Sequence, residues 1–517
     1  MRTQGARRWW ALAAVSLGVL AVGLDGTVLT VALPTLAKAL HASESDLQWF
    51  TSGYFLVLAA AMLPAGLLGD RYGHKKVLTI SLALFGLGSV ACAYSMSVGE
   101  FLAARVVLGL AGAGVVVMAI SALTVLFSPE ERPKAVGIWA AANFLSLPIG
   151  PILGGWMLSH FWWGWVFLIN APVAALGFVA LTTLVPESRA GRRPGFDVIG
   201  VALSVAGLVS LTYGLIEAGQ YGWTDATALV AMVAGVLVLG AFGLWERRLN
   251  RRPGGQPLLD LSLFNSRSFT WGVLLAAFAV LAMIGVLFTM PQYFQGVLGT
   301  DAMGSGLRLL PVILGLVLGA VPAERIVRVA GAKLVAAAGF LLLAIGLFVG
   351  STTSVTSSIA FVAVWMAVAG VGLGLALSTS TSAALVELSE ERSGVGSAVL
   401  QAVNKVGGPF GTAILGSALS SVYLSRLVLT ALPGAAATAV KQSVFAGVAV
   451  AQQAGSPALL INVRSAFTAG MDVALLVSAG IAVVGFVLTL VFLPRSNVLQ
   501  ENHPVHPDTE RELAGIR

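Results

Sequence analysis

Charged residues are scarce in this chain. They make up 10% of its 517 residues, whereas hydrophobic residues make up 57% and the mean hydropathy is +0.90. Because soluble domains carry about 25% charged residues, this composition excludes a soluble globular protein. The single cysteine, Cys92, excludes an internal disulfide, and its place in an apolar run favours an inert packed thiol.

Motifs for several kinds of chemistry are missing too. No Gly-x-x-x-x-Gly-Lys-[Ser/Thr] phosphate loop occurs, which excludes an ATP-driven pump. The five histidines fall in predicted loops or tails without metal-ligand spacing, so an enzyme is disfavoured and neither a metal nor a cofactor is expected. The net charge of +7 is spread over short loops, which argues against a nucleic-acid partner.

Long apolar runs fill the chain instead. A membrane-spanning helix needs roughly 20 mostly apolar residues, and runs bounded by charge, Pro or Gly clusters predict fourteen spans. They lie near residues 10–36, 47–69, 77–96, 101–127, 134–158, 165–186, 197–217, 223–245, 270–294, 305–322, 333–351, 357–386, 394–423 and 470–493. We therefore expect an all-α integral membrane protein with fourteen transmembrane helices.

The distribution of Lys and Arg orients the predicted spans. With the N-terminus in the cytoplasm, the inside segments hold 23 of the 30 Lys and Arg residues and the outside segments hold five. Cytoplasmic loops carry such an excess, and no inversion occurs along the chain. We therefore expect a multi-pass protein of the cell membrane with both termini in the cytoplasm.

The loops also suggest how the chain is divided. We expect an N-terminal six-helix half at 1–190, an inserted pair of helices at 191–250, a C-terminal six-helix half at 251–493 and a cytoplasmic tail at 494–517. The weakly charged outside segment 424–469 fits either a helical hairpin over the bundle or a mobile loop.

Two stretches of the second half repeat motifs of the first half. Gly407–Gly411 is similar to Gly150–Gly155, and Val329–Lys333 is similar to the loop after the second span. Such repeats predict pseudo-two-fold symmetry, with a substrate cavity near the bilayer midplane.

The loop after the second span combines glycines with one acid and several bases: Gly66, Gly69, Asp70, Arg71, Gly73, Lys75 and Lys76. Two of the glycines allow another helix to pack closely, and Gly73 allows a tight turn. This stretch resembles the signature loop of the major facilitator superfamily. The resemblance implies that Gly66, Asp70, Arg71, Gly73 and Lys75 form a cytoplasmic gate.

Other stretches resemble the fourteen-helix drug:proton antiporters of that superfamily. Leu24–Pro34 is similar to their helix-1 motif, with Thr30 in place of Asn, and Arg105–Gly112 is similar to the helix-4 motif. The antiporter motif of helix 5 is represented by Gly150, Pro151, Gly154 and Gly155. The resemblance extends over essentially the whole chain, and it implies two six-helix halves plus an inserted pair.

Two ionisable residues inside the spans are candidates for proton coupling. Charge in a membrane span marks function by default because its burial is unfavourable. Asp25 lies deep in the first span and Arg105 lies a few residues into the fourth, so we expect that they can approach one another. Our hypothesis is that Asp25 carries the proton. The alternative is a structural ion pair that only holds the helices together.

Polar and aromatic residues at span centres are candidates for the substrate cavity: Tyr54, Asn143, Phe144, Gln401, Asn404 and Lys405. Each is equally compatible with packing, and Lys405 could instead extend along a helix edge towards water. Lys405 stands where similar exporters of cations carry an acid, which disfavours doubly charged cations as substrates.

The pattern as a whole predicts a secondary transporter rather than an enzyme. We expect a proton-coupled antiporter, active as a monomer, that exports small amphipathic or lipophilic compounds such as drugs or antibiotics by alternating access. Its energy source would be the proton gradient. The alternative is a dedicated exporter of one endogenous metabolite, lipid or siderophore.

Overall fold

The computed structural model describes residues 2–127, 131–185, 187, 197–252, 261–386, 390–429 and 432–494, and every regular element there is helical. The first group of helices comprises α1 (Arg2–Ala39), α2 (Glu44–Tyr72), α3 (His74–Ala93), α4 (Val98–Leu126), α5 (Arg132–His160), α6 (Trp165–Leu168) and α7 (Asn170–Leu184). A pair follows, α8 (Val198–Tyr221) and α9 (Ala226–Asn250). The last group comprises α10 (Arg267–Gln292), α11 (Ala302–Arg308), α12 (Leu310–Ala330), α13 (Ala332–Gly350), α14 (Ile359–Val386), α15 (Glu390–Arg426), α16 (Gly434–Gln442), α17 (Val444–Gln453) and α18 (Pro457–Phe492).

Eleven helical runs among the described residues are long and apolar enough to cross a membrane. Three of these runs combine two helices: α6 with α7, α11 with α12, and α10 with the short π-helix Tyr293–Val297. Three further long helices, α2, α5 and α15, contain 29, 29 and 37 residues. The protein is therefore an all-helical membrane protein.

The last helix begins well before the predicted last span. The span was expected from residue 470, whereas α18 begins at Pro457, with the Ser456 side chain capping its first turn. Arg464 marked a membrane boundary in the sequence, but a helix can extend beyond the apolar layer and carry a charge there. Before it, α16 and α17 form two short helices, so the hairpin alternative describes the segment 424–469 better than a loop.

The similarity between Val329–Lys333 and the loop after the second span has a structural counterpart in two turns. Gly73 separates α2 from α3 with φ of 109°, and Gly331 separates α12 from α13 with φ of 82°. Each glycine N–H donates to the carbonyl four residues earlier, on Gly69 and Val327 respectively. Residues with a side chain rarely adopt such a positive φ, so both turns require glycine.

The two large groups meet through a few helices. In the first group α1 packs on α5 and α2 on α4, whereas in the last group α12 and α13 pack on α14. Between the groups, α2 packs on α15 and α5 packs on α11. The pair α8–α9 joins this junction because α8 contacts both α2 and α15.

Three hydrogen bonds between the groups lie near one end of the bundle, which we call the hairpin end because α16 and α17 are there. Gln292 Nε2 donates to Glu44 Oε1 at 3.1 Å, and Gln295 Nε2 donates to the Val31 carbonyl at 3.1 Å. A third such bond joins Gln48 Nε2 to Ser420 Oγ at 3.4 Å. The hairpin end is therefore closed by direct contacts between the groups.

Some predicted features lie outside the described residues. These are the first domain boundary near 190, the Pro/Gly-rich part of the linker at 253–260 and the tail after residue 494.

Candidate functional site

A buried ion pair joins α1 to α4. Asp25 is 2% exposed and Arg105 is not exposed at all, and Arg105 Nη1 donates to Asp25 Oδ2 at 2.5 Å. Arg105 Nε also donates to the carbonyl of Phe50 at 3.3 Å. The two residues that the sequence singled out as able to approach are thus in direct contact.

The pair is not fully hydrogen-bonded. Among the described residues, neither Asp25 Oδ1 nor Arg105 Nη2 has a hydrogen-bond partner. Buried polar atoms normally have one, and leaving one unpaired is unfavourable by about 1–3 kcal/mol. The arrangement therefore keeps one carboxylate oxygen of Asp25 available to a proton while the other holds the guanidinium.

Tyr54 packs directly against the ion pair. The guanidinium carbon of Arg105 lies 4.1 Å from the centre of the Tyr54 ring, within the range of a cation–π interaction. The Tyr54 hydroxyl donates to the Val22 carbonyl at 3.3 Å, and the side chain is fully buried. The side chain of Tyr54 turns towards α1 and α4 here, and its place in a substrate cavity stays a prediction.

The antiporter motif of α5 lies directly against the turn of α1 that follows Asp25. Thr27 Oγ1 donates to the carbonyl of Ser146 at 2.9 Å. A Cβ atom at Gly150 would collide with Thr27, and one at Gly154 would collide with Val28. The glycines therefore bring α5 against the helix that carries Asp25.

The same motif also crosses between the two groups. A Cβ atom on Gly155 would collide with the backbone of Ala302 in α11, and one on Gly306 would collide with the Pro151 carbonyl. This crossing lies at the hairpin end, close to Ser159 and Asp301. One motif thus contacts both the ion-pair helix and the opposite group.

The end of α2, where the predicted gate loop begins, packs on α4. Gly66 and Gly69 of α2 face Val117 and Met118 of α4, and at Gly69 a Cβ atom would collide with the methionine. Arg71 is exposed. The side chain of Asp70, the expected acid of the gate, lies outside the described residues.

A contact of the gate loop with the end of α7 was not anticipated. Lys75 Nζ donates to the Thr182 carbonyl at 2.8 Å, and the Lys75 backbone N–H donates to Glu187 Oε1 at 3.2 Å. The Glu187 carboxylate also occupies the space that a side chain on Gly73 would need. The loop is therefore tied to the segment after α7, which a linear motif could not indicate.

The remaining cavity candidates divide into two sets. The side chains of Asn143 and Phe144 lie outside the described residues. Gln401, Asn404 and Lys405 are partly buried on α15, and Lys405 Nζ lies 5.7 Å from the centre of the Phe55 ring on α2. Lys405 therefore points towards the opposite group and not along its own helix towards water.

Sequence reasoning overlooked two carboxylates. Asp472 lies inside the predicted last span, and its Oδ1 has no hydrogen-bond partner in the described part of the chain; an ionisable residue in a span was the available signal. Glu44 is buried beside Gln292. Because Glu44 lies just before the predicted span 47–69, the sequence assigns it to a loop.

The fold is a membrane bundle in which two helical groups meet at one end, with an ion pair buried in one of them. The sequence profile described as Major Facilitator Superfamily matches residues 15–412. The chain belongs to the major facilitator superfamily, and it is a transporter rather than an enzyme.

Relatives support the resemblance to drug antiporters. The chain is 33% identical to the tetracenomycin C resistance and export protein of Streptomyces glaucescens, over 94% of this chain and 91% of that protein. It is 32% identical to the multidrug efflux pump LfrA of Mycolicibacterium smegmatis, over 93% of this chain and 96% of the pump. The fold matches the inward-facing, unoccupied crystal structure of a bacterial Spinster homologue with a TM-score of 0.66 at 18% identity, covering 94% of this chain and 98% of that one.

Proposed function

We propose that this protein is a proton-coupled antiporter that exports small amphipathic or lipophilic compounds. The observation that carries the proposal is the buried Asp25–Arg105 pair with one free carboxylate oxygen. The relatives described as a resistance and export protein and as a multidrug efflux pump agree with export.

Asp25 would take up and release the proton through changes in its surroundings. Burial disfavours the charged carboxylate, whereas the guanidinium of Arg105 favours it. Rearrangement of α1 and α4 changes this balance, and so does a substrate that enters next to the pair. Moving one charge across the membrane supplies about 2.3 kcal/mol per 100 mV. At about 1.4 kcal/mol per tenfold, this sustains a gradient of about 40-fold.

We propose that α2, α5 and α15 complete the eleven apolar runs to fourteen membrane spans. A helix of roughly 20 residues is long enough to cross the hydrocarbon layer, and these three helices contain 29, 29 and 37 residues. The excess of Lys and Arg in alternate loops then puts both termini in the cytoplasm and the hairpin end outside. The groups α1–α7 and α10–α18 would be the two halves, with α8–α9 as the inserted pair.

With this orientation, the contacts at the hairpin end close the protein to the outside. Alternating access then requires those contacts to separate, including the crossing of Gly155 with α11. Membrane helices depend on small residues for such close approach. The closed external state would therefore depend on the size of the side chain at residue 155.

Replacing Gly155 with Leu should open the outer side. The larger side chain cannot fit against the Ala302 backbone, so we expect about tenfold faster external labelling of a cysteine introduced at Asn404, a shift of about 1.4 kcal/mol. Cys92 is buried, so the native chain provides a low background for a membrane-impermeant maleimide applied to intact cells. Gly240→Leu is the control, because nothing lies within 4 Å of a Cβ atom there. Unchanged labelling in Gly155→Leu would show that this crossing does not close the outer side.

A dedicated exporter of one endogenous compound is the second candidate. It is favoured by two relatives whose descriptions concern single compounds, the tetracenomycin C export protein and a probable actinorhodin transporter of Streptomyces coelicolor, 31% identical over 83% of this chain. The test is expression in an efflux-deficient host, with resistance and dye efflux measured across a chemically diverse panel with and without a protonophore. We expect protonophore-sensitive efflux of several compounds. Efflux of one compound alone would favour the dedicated exporter, and protonophore-insensitive efflux would refute proton coupling.

A further inference from the structure

Lys405 is a second cation at the centre of the protein, besides Arg105. It lies near the middle of α15, which runs from Glu390 to Arg426 over 37 residues. Because each helical residue advances the chain by a fixed rise, several turns of helix separate Lys405 from either end. Neither end is therefore within easy reach of its side chain, and Lys405 lies deep in the bundle, in a partly buried position.

No acidic side chain among the described residues balances the charge of Lys405. Asp25 is already paired with Arg105, and no described carboxylate lies within the 4.0 Å ion-pair distance of Lys405. A charged group at such depth is unfavourable unless an opposite charge accompanies it. The described residues thus leave one positive charge in this region for another molecule to neutralise.

The surroundings of Lys405 indicate where that molecule would bind. Its ammonium faces the Phe55 ring. A Cβ atom added at Gly26 in α1 would meet Phe55 at 3.1 Å, and one added at Gly408 in α15 would meet it at 3.6 Å. The Phe55 ring also packs edge-to-face against Tyr54, at 5.2 Å between ring centres. Lys405 therefore lies at the junction of the two groups, with one aromatic residue between it and the wall of the Asp25–Arg105 pair.

Two polar residues lie close to Lys405 in the sequence of α15. Gln401 and Asn404 lie four residues and one residue before Lys405, so Gln401 is one helical turn away on the same side. Asn404 Oδ1 is buried and has no hydrogen-bond partner among the described residues. A ligand with hydroxyl groups in addition to its acidic group would satisfy these positions.

We propose that Lys405 binds the acidic group of the exported compound, and that the preferred substrates are aromatic anions such as phenolates or carboxylates rather than organic cations. This inference rests on the proposed export function and specifies its substrate class. The ammonium supplies the charge, and the Phe55 ring supplies a face for stacking. Asp25 remains free for the proton.

The test compares two dyes that share a xanthene scaffold, anionic fluorescein and cationic rhodamine, in proteoliposomes of the full-length protein with an imposed pH gradient. We expect the wild type to prefer fluorescein. Lys405→Gln should lower fluorescein transport about tenfold, a change of about 1.4 kcal/mol, without lowering that of rhodamine. Lys405→Arg should keep the preference for the anion, and Lys405→Glu should reverse it. Lys38→Gln, which removes an exposed lysine at the end of α1, is the charge-matched control.

A second variant tests the same inference with Lys405 in place. Gln401→Glu puts a carboxylate one turn N-terminal to the lysine, the favourable order for an ion pair at i and i+4. This internal anion should compete with fluorescein and lower its transport by a similar factor, while rhodamine transport is kept.

The outcomes separate the inference from the proposed function. If the wild type accumulates neither dye when the pH gradient is imposed, both the inference and the proposed function are contradicted. A wild type that prefers rhodamine, or variants that lower both dyes equally, would overturn the role of Lys405 and leave proton-coupled export intact.

Discussion

Asp25→Asn should abolish uphill transport driven by a pH gradient while preserving substrate exchange. Asparagine has nearly the same shape as protonated aspartic acid and can still accept a hydrogen bond from Arg105, but it cannot release a proton. In proteoliposomes we expect gradient-driven accumulation to fall at least about tenfold, equivalent to about 1.4 kcal/mol. Counterflow, the exchange of labelled for unlabelled substrate without net proton movement, should continue.

The two readouts separate proton coupling from a purely structural pair. If the pair only held α1 to α4, Asp25→Asn would weaken both activities together. Glu217→Gln is the control, since it removes a partly buried carboxylate of α8, away from the pair. Full gradient-driven transport by Asp25→Asn would eliminate Asp25 as the proton carrier.

Arg105→Met should cause a large loss of stability. Removing one partner of a buried ion pair leaves the other charge uncompensated and is unfavourable by about 3–5 kcal/mol. The variant would also lose the hydrogen bond to the Phe50 carbonyl and the contact with the Tyr54 ring. The measurement is the thermal unfolding midpoint of the purified protein in detergent, which we expect to fall clearly below that of the wild type.

A double-mutant cycle identifies the origin of that loss. Asp25→Asn combined with Arg105→Met should be more stable than Arg105→Met alone, because no unpaired carboxylate then remains. Arg8→Gln is a matched control. It breaks an ion pair with Glu131 whose side chains are 35% and 32% exposed, and an exposed pair contributes only about 0–1 kcal/mol. Equal destabilisation by Arg8→Gln and Arg105→Met would contradict the importance of burial.

Helix positions were predictable where apolar runs coincide with helices, and less so at their ends. The expected spans 77–96 and 333–351 correspond to α3 (His74–Ala93) and α13 (Ala332–Gly350). A run of high hydropathy indicates the part of a helix that lies in the apolar layer of the membrane. The helix itself continues as long as its backbone is hydrogen-bonded. For this reason α18 starts well before its apolar segment.

The ion pair was predictable because two features combine. Charge is so rare in the spans that Asp25 and Arg105 stand out, and counting residues along each helix places them at compatible depths. The role of Tyr54 was not predictable, since it depends on which face of α2 turns towards α4. Periodicity gives little guidance in a helix that is surrounded by apolar groups on all sides.

Contacts between distant segments were least accessible from the sequence. Glu187 at the gate loop and Gln292 beside Glu44 belong to segments 112 and 248 residues away from their partners Lys75 and Glu44. Neither residue is part of a local motif. Only the packing of the helices brings them together.

Simultaneous recording of proton and substrate movement tests proton-coupled antiport most directly. Wild-type protein in proteoliposomes without ATP would be given an outward substrate gradient, and the lumenal pH followed with a trapped dye. We expect substrate efflux to drive protons into the lumen, and the pH change to vanish in Asp25→Asn. Substrate efflux with no accompanying pH change in the wild type would contradict proton-coupled antiport.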